Sequence, residues 1–357
     1  MSPLDLTFVY PGDINTRTGG YRYDKRIIEG IQSADRDGHC WNVTTMSLAG
    51  DYPFPTQTQR QQASQALATI ADGALTVVDG LAYSTMPEVI EAHAQRLTFI
   101  ALVHHPLALE TGLTETQSAE LKLQETEALR FARHVISTSH STAESLNQYH
   151  VSADRVSAIL PGTDKADVAT GSKNGASKLL CVATLTPRKG HAVLLDALAT
   201  LTHLPWLLVC AGSKERDAQT YTALVEQCSE LKLDDRVSFA GELDDQELAN
   251  HYSTSDLFVL ASYHEGYGMV LTEAIASGLP IICSNAGAMA STVPEGCGLL
   301  VPPGDASALS AALEQYLSND NLRSKLKEAS LQARGELRSW RDACDEFSHL
   351  LFTVHSG

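Results

Sequence analysis

The chain alternates between two textures: short continuous apolar runs, and longer stretches whose apolar residues recur at helical spacing. The run LDLTFVY, from Leu4, ends at Pro11–Gly12–Asp13 and reads as a strand feeding a loop. A Gly19–Gly20 turn then precedes YRYDKRIIEGIQSADRDGH, where Ile27, Ile28 and Ile31 give one helical face and Gly38 stands where the helix should stop. WNVTTMSL is the next expected strand, followed by ALTVVDG, RLTFIALVHH and RHVISTS. Between them QQASQALATIADG, PEVIEAHAQ and SAELKLQETEALRFA read as helices, and Pro161–Gly162 breaks the last strand, in RVSAILPGTD. Buried strands alternating with amphipathic segments predict a parallel sheet covered by helices.

The stretch 165–177, KADVATGSKNGAS, is small and polar and reads as a linker. The alternation then restarts, with strands KLLCVATL, PWLLVCAG, RVSFAG, DLFVLAS and PIICSN and with helices between them from HAVLLDALATL to MVLTEAIASG. It closes on GLLVPPGD, the helices ASALSAALEQYLS and NLRSKLKEASLQARG, and a final helix from about Ser339. The expected fold class is α/β, with two doubly wound, Rossmann-like domains: residues 1–164 and 178–338, joined by 165–177.

Charge and composition narrow the chemistry. A net charge of −17, spread over both halves, disfavours nucleic acid and anionic membrane as partners. The seven cysteines form no CxxC pair and mostly sit in apolar runs, as buried free thiols of a reducing, cytoplasmic compartment do. No apolar stretch is long enough to cross a bilayer, and no basic segment precedes an apolar one at the start, so neither stable membrane insertion nor a signal peptide is expected.

In open α/β sheets ligands bind at the carboxyl ends of the strands. The loop after DLFVLAS holds Glu265, Gly266 and Gly268 and opens a helix with Met269, Val270 and Glu273. Helix-leading amides from Gly268 to Val270 lack intrahelical partners and suit a diphosphate. Eight residues of helix between Glu265 and Glu273 would span about 12 Å, the separation of a hexose from the ribose of one nucleotide-sugar.

At these residues the chain resembles the GT4-like retaining glycosyltransferases of the GT-B fold. HEGYGMVLTEAIASGLPIICSNAG resembles their E-x7-E signature, and TVPEGCGLLVPPGDASALSAAL its continuation. TGGYRYDKRI, PGTD, ATLTPRKGHAVLLDAL and VSFAGELDDQELANHYSTSDLFVLAS match in order, so the likeness covers nearly the whole chain. It implies a GT-B architecture of two domains facing across a cleft, with the last helix, 339–357, returning to the first domain. It also implies that Arg188 and Lys189 neutralise the donor diphosphate, that Glu265 contacts the transferred sugar, and that Glu273 contacts ribose. Gly19 and Gly20 would approach the diphosphate from the first domain, and Val237–Gly241 would line the base pocket. His104 and His105 follow a strand where the family has one histidine near the reacting carbon. Register favours His104, and the doublet leaves the assignment open.

The resemblance implies transfer of a hexose-type sugar from a nucleotide-sugar, UDP-sugar preferred, to an acceptor hydroxyl by same-face displacement. The protein then supplies positioning and charge. No metal or other cofactor is expected, since Arg188, Lys189 and the helix N-terminus would stabilise the leaving group, and Asp244–Asp245 reads as a helix cap before QELANHY rather than a metal clamp. The acceptor is expected to be a small soluble molecule or a lipid-linked one reached transiently; Arg17, Arg22, Lys25 and Arg26 would meet an anionic group or form a solvated face. Two alternatives share the fold: a nucleotide-sugar epimerase or hydrolase, and a nonenzymatic nucleotide-sugar sensor.

Overall fold

The computed structural model describes residues 4–32, 40–173 and 175–356; Gly38, the expected helix stop, lies outside them. The chain divides into two compact units, 1–162 with 338–357, and 163–337.

The first unit builds on β1 (Leu4–Pro11), α1 (Gly19–Gln32), β2 (Trp41–Leu48), α2 (Gln57–Ala68), β3 (Leu75–Asp79) and α3 (Gly80–Tyr83). It continues with α4 (Pro87–His93), β4 (Thr98–Val103), α5 (Glu115–Leu129), β5 (His134–Ser137), α6 (His140–Ser145) and β6 (Val156–Ala158). Its parallel sheet has the order β2-β1-β3-β4-β5-β6. Strand order therefore reverses between β1 and β3, where a crevice for ligand opens at the carboxyl ends. The inner strands read as unbroken apolar runs because both their faces are covered; every residue of β3 is buried.

Several helix starts differ from the sequence reading. Gly19 and Gly20 do not form a turn before α1 but are its first two residues, and the amide of Arg22 donates to the Thr18 carbonyl at 3.0 Å. α2 and α5 begin ahead of their apolar stripes because Thr56 with Gln59, and Thr114 with Gln117, close reciprocal capping boxes.

The second unit comprises β7 (Ser177–Val182), α7 (His191–Ala199), β8 (Trp206–Ala211), α8 (Ala218–Glu230), β9 (Val237–Gly241), α9 (Asp245–Ser253) and β10 (Leu257–Leu260). Then follow α10 (Met269–Ala276), β11 (Ile281–Ser284), α11 (Met289–Thr292), β12 (Gly298–Val301), α12 (Ala306–Ser318) and α13 (Asp320–Ala333). The sheet order β12-β11-β10-β7-β8-β9 is the dinucleotide-binding order, with its reversal between β7 and β10. The stretch read as a linker runs along this unit: the amide of Ala169 donates to the Ser277 carbonyl and that of Thr170 to the Ser253 carbonyl, both at 2.8 Å. Asp256 fixes its end by accepting from the amides of Ser172 and Lys178.

The last helix, α14 (Trp340–Ser356), belongs to the first unit. It lies on α1: Trp340 packs 6.0 Å from the Tyr23 ring, and Trp41 Nε1 donates to Ser348 Oγ at 2.8 Å. Among the described residues no helix is long and apolar enough to cross a membrane.

Candidate active site

Each strand-order reversal carries a polar cluster. In the second unit, Arg188 and Lys189 lie in the turn Pro187–Lys189 after β7, and Glu265 lies in the loop after β10. Because β7 and β10 are neighbours, the two loops meet. Lys189 Nζ donates to Glu265 Oε1 at 2.6 Å, Ser262 Oγ donates to the same oxygen at 2.6 Å, and Arg188 Nη1 stands 3.6 Å from Oε2. Arg188 also donates to the His264 carbonyl at 2.7 Å. Glu265 is 7% exposed. Burial pushes its carboxyl up, but the charge of Lys189, then that of Arg188, overcomes this and holds it at about 2. The carboxylate is therefore ionised throughout the neutral range.

Gly268, at φ +86°, turns the chain into α10, and no side chain caps that helix end. The leading amides at Met269 and Val270 are thus offered to an anion. Glu273 sits on α10 and accepts from Tyr252 Oη at 3.0 Å. Only Met269–Glu273 of the E-x7-E stretch is helical, so the helical rise between the two carboxylates is about 6 Å rather than the 12 Å expected for a continuous helix. The loop after β11 braces the site: the Ala288 amide donates to the Glu265 carbonyl at 2.9 Å, and a Cβ on Gly287 would overlap that same oxygen. Val237 is not brought to this group. It opens β9 in register with Leu208, at the amino end of the sheet, whereas Gly241 stands at the carboxyl end beside Ala211. Asp244 is a cap, accepting from the Glu247 amide at 2.8 Å.

In the first unit, His104 follows β4 beside the reversal. Its Nε2 lies 3.0 Å from Asp24 Oδ1 on α1 and 3.3 Å from Asp79 Oδ2 at the end of β3. Asp24 is fully buried, and burial raises its carboxyl to about 7. Burial works against a charged His104, but Asp24 and then Asp79 raise it to about 10. Gly20 gives this ring its space, since a Cβ there would stand 3.1 Å from His104 Cδ2. Gly19 has nothing near its missing Cβ. His105 faces elsewhere, with Nε2 3.4 Å from Glu110. The loop carrying both histidines is held by buried Glu125 of α5, which accepts from Ser84 Oγ and from the Leu107 amide. Of the four basic residues near the glycines, Lys25 donates to Asn15 and Arg26 stacks over Trp340. Among the described residues Asp24, Asp79 and His104 form the one group with three ligand atoms suited to a metal ion.

The sequence reading missed Asp24, Asp79, Ser262 and Gly287. Asp24 had a legible signal: with Ile27, Ile28 and Ile31 it occupies the buried stripe of α1, a costly place for an acid. Asp79 ends the apolar run of β3 at the carboxyl edge, where site residues gather.

Residues 163–333 match the family described as glycosyl transferases group 1. A D-inositol 3-phosphate glycosyltransferase from Corynebacterium efficiens is 27% identical over 283 residues, 70% of this chain and 65% of that protein. One of the same name from Frankia alni is 28% identical over 239 residues, covering 59% of each chain. The matched stretches thus span less than two thirds of those relatives. Among solved structures, the sucrose-phosphate synthase of Thermosynechococcus elongatus aligns with a TM-score of 0.82 at 22% identity over 99% of both chains. Anabaena HepE, solved with UDP and glucose, aligns at 0.74 and 18% identity over 97% of this chain and 99% of its own. With its two Rossmann-like units, the chain has the GT-B fold and carries a glycosyl transferases group 1 domain at residues 163–333.

Proposed function

We propose that this chain is a GT4-like retaining glycosyltransferase, moving a hexose-type sugar from a UDP-sugar to an acceptor hydroxyl without a metal. The observation that carries the reading is the Arg188–Lys189–Glu265 group beside the uncapped start of α10. Two cations and a helix N-terminus there match the charge that grows on a departing diphosphate. Glu265, kept ionised and buried, accepts hydrogen bonds from hydroxyls of the transferred sugar, and Glu273 does so from ribose. In the reaction the C1–O bond to the diphosphate breaks and the acceptor oxygen bonds C1 on the same face. The acceptor proton passes to a phosphate oxygen. The resemblance assigns His104 of the first unit to the transferred sugar.

Relatives named for glycosyl transfer to inositol 3-phosphate support a small polar acceptor, and a fold neighbour solved with UDP and glucose supports the donor base. A lipid-linked acceptor remains the other member of the acceptor class. Seven free thiols, six of them buried, support a cytoplasmic setting.

The test is proton NMR of the product formed from an α-linked UDP-sugar and an inositol phosphate or other polyol acceptor, with and without EDTA. An α-linked product formed equally in EDTA is expected. A β-linked product contradicts retention, and loss of turnover in EDTA contradicts metal independence. Free sugar released at the same rate with or without acceptor supports the hydrolase alternative instead.

A further inference from the structure

The buried Asp24–His104–Asp79 group is unusual chemistry for the inside of a domain. Both carboxylates approach one ring nitrogen, Nε2, from two different elements: Asp24 from α1 and Asp79 from the end of β3. Asp79 is itself fixed, since its Oδ1 caps α3 by accepting from the Leu81 amide at 2.8 Å. The ring is held on its other sides as well. Tyr23 meets it edge-on at 5.6 Å, the missing Cβ of Gly20 leaves room for Cδ2, and the His104 carbonyl accepts from Thr138 Oγ1. Tyr23 is tied in turn, donating to the Ile159 carbonyl at 2.9 Å. The polar contacts of the ring are all at Nε2; Nδ1 has no partner among the described residues and is not among their sealed, unpaired atoms.

We infer that Asp24 and Asp79 are positioning residues that clamp His104 through Nε2 as an imidazolium, so that its Nδ1–H is presented to substrate as a fixed hydrogen-bond donor. This rests on the glycosyltransferase reading only in naming the substrate as sugar donor or acceptor. One carboxylate suffices to choose a histidine tautomer. Two carboxylates at one buried nitrogen repel each other unless one takes up a proton or positive charge lies between them. The imidazolium supplies that charge, and Asp24 Oδ2, buried without a partner, marks the carboxylate most ready to take up a proton as well. The titratable groups facing the ring are Asp24 and Tyr23 from α1 and Asp79 from β3. A ring so held does not serve as the base that deprotonates the acceptor, because it already carries both protons. It donates to an oxygen of the substrate bound at this unit's strand-order reversal and orients it. The clamp therefore fits a reaction in which the phosphate takes the acceptor proton.

The experiment is a long-range proton–nitrogen NMR titration of the full chain with 15N-histidine, from pH 5.5 to 8.5, without ligand. The variant His104→Gln assigns the signal. Both ring nitrogens of His104 are expected to stay protonated over the range in the wild type. In Asp24→Asn and Asp79→Asn the midpoint is expected to move down into the range, with kcat lowered at least about tenfold and KM nearly unchanged. Loss of a proton by wild-type His104 near pH 6.5 overturns the clamp, and because it is read on the unmodified protein it stands even if a variant folds poorly. A His104 signal that moves on adding zinc or manganese and returns with EDTA also overturns it, assigning the three side chains to a metal ion instead. An unperturbed kcat in both variants, with the titration as expected, overturns the positioning role while leaving the glycosyltransferase reading intact. Absence of sugar transfer by the wild type defeats that reading and leaves the titration to decide the clamp.

Discussion

At Glu265 two large opposing effects meet. Burial disfavours the carboxylate, and Lys189 with Arg188 favours it more. Removing one partner therefore costs more than the pair contributes by existing. Lys189→Ala leaves the buried carboxylate with the neutral Ser262 hydroxyl and the more distant charge of Arg188, and we expect a loss of about 3 kcal/mol in urea unfolding at pH 7. The pH dependence follows from the depressed carboxyl. Its stabilisation is full above the ordinary value of 4.5 and is lost as pH falls toward about 2. Urea midpoints of the wild type and Glu265→Gln should thus differ most above pH 5 and converge near pH 2; a gap that widens on acidification would reverse the assignment. The basic pair and both glutamates could be found in the sequence because their spacing lies within two short segments. The pairing of Glu265 with Lys189 could not, since 76 residues separate them and only the adjacency of β7 and β10 brings them together. Asp24 was visible as an acid on an apolar stripe, but its partners come from two other strands' ends.

Among the elements, α10 and the loop after β11 set the shape of the site. Gly287 has φ +59°, and a side chain there would strike the Glu265 carbonyl. Gly287→Ala is expected to lower stability by about 1–3 kcal/mol and to reduce turnover by shifting Glu265, measured as urea midpoint and kcat together. A stable variant with normal turnover would show that the loop does not brace the site. The apolar periodicity that identifies α2 and α5 begins only after their first turn, while the Thr-x-x-Gln boxes at Thr56 and Thr114 mark the true starts. Thr114→Ala should cost about 1 kcal/mol, read as a lower thermal midpoint. The Gly19–Gly20 pair was readable as a place where the backbone is special. That Gly20 makes room for His104 depends on a residue more than eighty positions away, beyond any local pattern.

At the scale of the molecule, the alternation of runs and stripes was enough to reveal two doubly wound units, but not their different strand orders, which depend on which neighbours pair. Nor does an amphipathic helix name the sheet it covers. That 338–357 belongs with the first unit is a tertiary fact, made by Trp340 against Tyr23 and Ser348 beneath Trp41. The second unit is one continuous stretch, so residues 163–337 expressed alone should unfold cooperatively. Residues 1–162 alone, stripped of α14, should give no sharp calorimetric transition, and adding 338–357 in cis through a flexible linker should restore it. Differential scanning fluorimetry with UDP, GDP and ADP on the wild type, Arg188→Ala and Glu273→Ala tests the donor site most directly. A nucleotide at a hundred times its Kd adds about 2.7 kcal/mol, so UDP should raise the wild-type midpoint by several degrees and should leave both variants unmoved. A wild type that no nucleotide stabilises, or variants that respond as it does, would contradict the site.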